Sequence, residues 1–123
     1  MEILTLLLLF QIKHWYADFK IQTYMQTVKK GVWLDPIGIS HSLDHVWSTF
    51  VILIIFSLCI SSIPAHIIVA IGLIEGIIHY LIDFVKVKYG CKDITKPQFW
   101  NQFGLDQLGH QITYILIAAF ILL

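Results

Sequence analysis

The sequence predicts an all-α, integral-membrane four-helix bundle, and three observations carry that prediction. Hydrophobic residues make up 58% of the 123-residue chain and charged residues 13%, about half the ~25% charged share usual in soluble domains. Four apolar segments each approach the ~20 residues that cross a ~30 Å hydrocarbon core. The ionisable residues inside those segments recur at helical spacing instead of scattering.

The chain is short enough for a single domain, residues 1–123. The first predicted helix covers about residues 3–28. Ile3 to Phe10 is almost purely apolar, the second half carries His14, Asp18, Lys20 and Gln22, and Lys29-Lys30-Gly31 ends it. Asp35-Pro36 and Gly38 mark a turn, after which Ser40 reads as the N-cap of a helix over residues 41–60. Ser61-Ser62-Ile63-Pro64 is a tight connection to a third helix over residues 65–87. A polar loop follows, and Pro97 suits the first turn of a fourth helix over residues 97–123. Gly72 and Gly76 form a small-xxx-small pair that favours close helix packing.

All eight basic residues are lysines and the net charge is zero, so nucleic acid is not expected as a partner; that function needs a basic, Arg-rich face. Lys29 and Lys30 lie between the first two helices; Lys86, Lys88, Lys92 and Lys96 lie at the third-to-fourth connection. The positive-inside rule puts both loops in the cytoplasm and both termini on the non-cytoplasmic side. Met1-Glu2-Ile3 brings no basic region before the apolar run and does not read as a cleavable signal peptide. Cys59 and Cys91 suggest neither a disulfide framework nor a zinc motif.

Each helix contributes an ionisable pair at i, i+4, which shares one helix face: His14/Asp18, His41/His45, His79/Asp83 and Asp106/His110. Composition alone would give a His such a partner about one time in five, yet five of the six His have one. Glu75 extends the third stripe one turn deeper. Counting residues from the outer ends places His14, His45, His79 and His110 at one depth, about 20 Å in at ~1.5 Å per residue. Asp18, His41, Asp83 and Asp106 form a second layer one turn closer to the cytoplasm. Ionisable groups inside a membrane are expensive unless they face the bundle interior and find partners. One or two divalent ions, with Zn, Mn, Fe or Ni suited to imidazole and carboxylate, would satisfy all eight at once, as in four-helix di-metal proteins. A proton relay and a metal-free hydrogen-bond network are the alternatives. His66, alone at the outer turn, reads as an interfacial side chain. Trp33 and Trp100 fit an interfacial belt, while Trp15 and Trp47 are candidates for lining the site.

His14-Trp15-Tyr16-Ala17-Asp18-Phe19 with Gln22-Thr23, then His41/His45, His79-Tyr80-Leu81-Ile82-Asp83 and Asp106-Gln107-Leu108-Gly109-His110, resemble the ordered motifs of the DUF3307 family. The resemblance covers nearly the whole chain and implies a bacterial or phage membrane protein. A weaker similarity, through Ser40-His41-Ser42, is to the membrane-bound metal-dependent hydrolases called DUF457.

Three functions follow as expectations. The first is a multi-pass hydrolase of the bacterial inner membrane: the metal activates water, Glu75 or a shallow Asp is the general base, and a membrane lipid or other amphiphile is the substrate. The second is a channel or carrier component for a metal ion or small solute, working as a homo-oligomer. A phage accessory protein with a structural metal is a third. The nearly apolar outer halves, Ile3 to Phe10, Phe50 to Phe56 and Ile115 to Leu123, favour a one-sided site over a through-pathway.

Overall fold

A computed structural model describes residues 1–123, which form helices and connecting turns with no strand. The elements are α1 (Glu2–Trp15), a π-helical segment (Tyr16–Ile21), α2 (Tyr24–Lys29), α3 (Pro36–Cys59), α4 (Ala65–Tyr89) and α5 (Pro97–Leu122). Helices α3, α4 and α5 are long and apolar enough to cross a membrane. Large apolar side chains such as Leu58, Leu73, Ile77, Leu116 and Phe120 point outward from them, the pattern expected where lipid is the solvent.

The first predicted span is corrected. It is not one helix over residues 3–28. Helix α1 has 14 residues, and the helical path continues without a gap through the six residues of the π-helical segment. The chain widens there and breaks at Gln22-Thr23. The break has a local cause: Thr23 and Gln26 form a capping box, with Gln26 N donating to Thr23 Oγ1 at 3.2 Å and Thr23 N donating to Gln26 Oε1 at 2.8 Å. This reciprocal pair satisfies two otherwise orphaned helix-start donors and starts α2.

The second helix also begins earlier than expected. Asp35, not Ser40, is its N-cap: its side chain accepts from Ile37 N at 2.9 Å and Gly38 N at 3.4 Å. Pro36 occupies the first turn, where no N–H is needed. Leu34 enters this cap with a left-handed φ of 55° and donates its N–H to Tyr80 Oη at 2.8 Å. The remaining two helices start and end within two residues of the expected positions.

Helix α3 packs on α4, α4 on α5, α5 on α1 and α1 on α3, which closes a ring around a central axis. Small residues allow the approach. A Cβ at Gly72 would run into the Phe50 ring and one at Gly76 into Val46 Cγ2. At Gly38 the obstacle is backbone: a Cβ would lie 2.9 Å from Lys29 O and 3.0 Å from Lys30 Cα. At one end the ring encloses an apolar core that includes Leu6, Phe10, Leu53, Phe56, Ile71 and Ile117. At the other it encloses polar and charged side chains. Tyr114 sits at the boundary, its ring stacked on Phe10 at 5.0 Å and its hydroxyl turned into the polar half. Trp15 and Trp47 are both exposed, so they face outward and do not line the site. In the α4–α5 connection, hydrogen bonds from Thr95 hold the exposed Asp93 carboxyl below its ordinary range.

Candidate metal centre

The π-helical segment places Asp18. Its wider turns depart from the 3.6-residue register, a distortion that often marks functional positions, and Asp18 points into the ring. Its Oδ1 lies 3.0 Å from His41 Nε2, 2.9 Å from His45 Nε2 and 3.6 Å from His79 Nε2. The His41 and His79 Nε2 atoms are 3.3 Å apart. A tetrahedral ion with bonds of about 2.0–2.1 Å holds its ligand atoms about 3.3 Å apart, so these four residues already stand near coordination spacing. Asp83 Oδ2 adjoins them, 3.2 Å from His79 Nε2 and 3.4 Å from His41 Nε2.

Three ligand groups emerge, each with its atoms within 4.8 Å: Asp18/His41/His45/His79, His14/His79/His110 and Asp83/Asp106/His110. The structure thus brings all eight sequence-predicted residues into one buried cluster. These buried His and Asp groups could hold a metal ion. The depth layers do not stay separate, because the group around Asp18 takes two residues from each. His79 is central to the arrangement, with its ring stacked between those of His45 (3.5 Å) and His110 (4.1 Å).

His14 has a different place. Its Nδ1 lies 3.0 Å from Tyr114 Oη, and its Nε2 lies 3.1 Å from Gln107 Oε1 and 3.2 Å from Asp18 Oδ2. Both ring nitrogens are engaged, so His14 fixes the Asp18 carboxylate from behind. Gln22, on the break after the π-helical segment, brings its amide nitrogen to 2.9 Å from His41 Nε2. Gln102 lies away from the cluster and accepts from Cys91 N at 2.6 Å. Asp44 accepts from Gln26 Nε2 at 2.9 Å, outside the ligand groups.

Glu75 lies at the floor of the cluster. Its Oε1 accepts from Lys13 Nζ at 2.8 Å and from Tyr114 Oη at 3.3 Å, and its Oε2 accepts from Thr49 Oγ1 at 3.1 Å. His45 Nδ1 and His79 Nδ1 face it from 3.8 and 3.9 Å, beyond direct hydrogen bonding. Both nitrogens are buried without a partner. A carboxylate behind the far nitrogen of a histidine is the usual support of a metal-ligating imidazole.

Sequence reading missed the lysines. Lys13 was passed over, and Lys30 was assigned to the loop, yet both side chains are buried. Lys30 Nζ lies 2.9 Å from Asp83 Oδ2 and Lys86 Nζ 3.4 Å from Asp106 Oδ2. A lysine inside an apolar span is itself a signal, since it is costly unless paired, and Lys13 adjoins His14. The result is an uneven charge balance. Glu75, Asp83 and Asp106 each have a lysine; Asp18 is met only by imidazoles.

A groove of about 520 Å³ between α4 and α5 is lined by Leu81, Ile82, Val85 and Leu105 together with Lys86 and Asp106, so one cluster carboxylate borders it.

No curated protein and no solved structure matches this chain. A family model described as "Protein of unknown function (DUF3307)" matches residues 3–123. The chain, with its apolar helices and buried His/Asp cluster, therefore belongs to the DUF3307 family.

Proposed function

We propose that this protein is a multi-pass membrane protein of the bacterial cell membrane whose buried cluster binds a divalent metal ion and uses it to hydrolyse an amphiphile. The observation that carries the metal reading is the convergence of His41, His45 and His79 Nε2 on Asp18 Oδ1, the one cluster carboxylate without a lysine. A buried carboxylate needs a compensating cation. Two imidazole nitrogens 3.3 Å apart cannot both point a proton at each other, but both can point lone pairs at one ion. Imidazole with carboxylate suits Zn, Mn, Fe or Ni.

A bound ion would lower the pKa of water and polarise a carbonyl or phosphoryl oxygen. The chain's residues supply the rest. Lys13, Tyr114 and Thr49 hold Glu75 behind His45 and His79, which favours a positioning role for Glu75 over that of a free general base. The apolar core around Leu6, Phe10, Leu53 and Phe56 closes the far end, which supports a one-sided site over a through-pathway for a solute. The α4–α5 groove, lined by apolar side chains together with Lys86 and Asp106, suits a substrate with a hydrocarbon chain and a polar head. On the positive-inside rule, the lysine-bearing end with the cluster lies toward the cytoplasm.

The test is the visible spectrum of the Co(II)-loaded, detergent-purified protein, measured together with hydrolysis of amphiphilic esters and phosphoesters in mixed micelles. An intense tetrahedral cobalt band and metal-dependent turnover, both lost in His45→Ala, support the reading. A Co(II) spectrum unchanged by His45→Ala would remove the proposed ligand set, and intact binding without turnover on any substrate would leave a structural metal.

A further inference from the structure

We infer that Asp83, Asp106 and His110 form a second divalent-cation position, joined to the first through the Asp83 carboxylate. This rests on the metal reading of the Asp18 group and extends it to a dinuclear centre. Asp83 faces both ways: its Oδ2 stands 2.9 Å from Lys30 Nζ and 3.2 and 3.4 Å from His79 and His41 Nε2, and its Oδ1 stands 3.7 Å from His110 Nε2. Asp106 Oδ1 lies 3.6 Å from the same nitrogen. Their ligand atoms lie within 4.8 Å of one another, close enough to surround one cation.

The independent sign of a ligand is what these atoms lack. Asp106 Oδ1 and His110 Nε2 are both buried with no hydrogen-bond partner, on side chains only 2% exposed. The two atoms face each other at 3.6 Å, too far for a hydrogen bond; leaving a buried carboxylate oxygen without one is costly, and a native fold keeps such groups only for a reason. Both lie within 4.8 Å of a carboxylate oxygen of Asp83. The other Asp106 oxygen is occupied, since Oδ2 is near Lys86 Nζ at 3.4 Å and accepts from Gln107 Nε2 at 3.1 Å. One oxygen of Asp106 is thus tied to helix α5 and the chain's own cation, and the other is free for an ion.

A carboxylate shared between two sites sets ions about 3.5–4 Å apart, the spacing of two-metal hydrolytic centres. Asp106 and Lys86 line the groove between α4 and α5, so the second position borders that groove. The Lys86 side chain beside it is 26% exposed. The first ion would lie among His41, His45 and His79.

The full-length protein in detergent is stripped with a chelator and titrated with Mn(II) alone, and low-temperature electron paramagnetic resonance is recorded. Wild type should bind two equivalents and show the spectrum of an exchange-coupled pair. Asp106→Asn, and separately His110→Gln, should bind one equivalent and show isolated Mn(II). One equivalent in wild type, unchanged in Asp106→Asn, overturns the second position while leaving the first intact. Two uncoupled equivalents that neither variant reduces would also overturn it, because the second ion would lie elsewhere. No uptake by wild type fails the underlying metal reading together with this one.

Discussion

His41 Nε2 and His79 Nε2, from α3 and α4, stand 3.3 Å apart and share Asp18 Oδ1 as a neighbour at 3.0 and 3.6 Å. Metal binding here requires neutral imidazoles and an ionised carboxylate, so it must compete with protons. Occupancy is therefore present at neutral pH and falls on acidification, at a pH set by metal affinity as well as by imidazole protonation. Metal retained after equilibrium dialysis over a pH series measures it. Retention with the same pH profile in wild type and in His45→Ala would exclude His45 as a ligand.

Glu75 and Lys13 form an ion pair at 2.8 Å with both side chains 1% exposed. Removing one partner of such a pair costs about 3–5 kcal/mol, whereas replacing both with apolar residues can be nearly neutral. Lys13→Met should therefore lower the melting temperature sharply, and Lys13→Met with Glu75→Leu should recover most of the loss. A double variant no better than the single one would mean the two residues are not coupled.

Glu75→Gln separates the positioning role from a general base. As the carboxylate behind His45 and His79, Glu75 should affect metal affinity, and its loss should weaken binding about 10–100-fold. A base that only accepts a proton from water would leave affinity unchanged and abolish turnover. Metal titration and activity on the same preparation distinguish the two outcomes.

Gly38 lets the chain at Lys29-Lys30 lie against α3, with the backbone too close for a Cβ. Gly38→Ala should destabilise by about 1–3 kcal/mol through overpacking and should pull Lys30 from Asp83. Unfolding midpoints in mixed micelles test this. A neutral result would show that the connection is free to shift.

Cys59, at the end of α3, and Cys91, in the α4–α5 connection, are both free thiols at opposite ends of the helices. The positive-inside rule predicts that the lysine-bearing loops are cytoplasmic, in which case an impermeant thiol reagent should not reach Cys91 in intact cells carrying Cys59→Ser. Efficient labelling of Cys91 there would invert the orientation.

The i, i+4 spacing made the cluster legible, because a helix puts such pairs on one face whatever surrounds it. The starts of α4 and α5 were legible at Pro64-Ala65 and Pro97 for a similar local reason. The first span was not. Its apolar content hid the capping box at Thr23 and Gln26, a pattern visible in the letters but overridden by hydropathy. The π-helical widening at Tyr16–Ile21 had no sequence signal that we can name, although it sets where Asp18 points. Lys13 and Lys30 were misjudged for another reason. Charge counting assigns lysines to loops and orientation, and only packing reveals that these two neutralise Glu75 and Asp83.

The central claim is that Asp18, His41, His45 and His79 hold a divalent metal ion. Elemental analysis of the detergent-purified wild-type protein, beside His79→Ala, tests it most directly. The account predicts at least one divalent transition-metal ion per chain in wild type and a loss of most of it in His79→Ala, since His79 belongs to two of the three ligand groups. Wild-type protein that carries no metal, and takes none up when Zn, Mn, Fe or Ni is supplied, would contradict the account and leave the cluster as a hydrogen-bonded network.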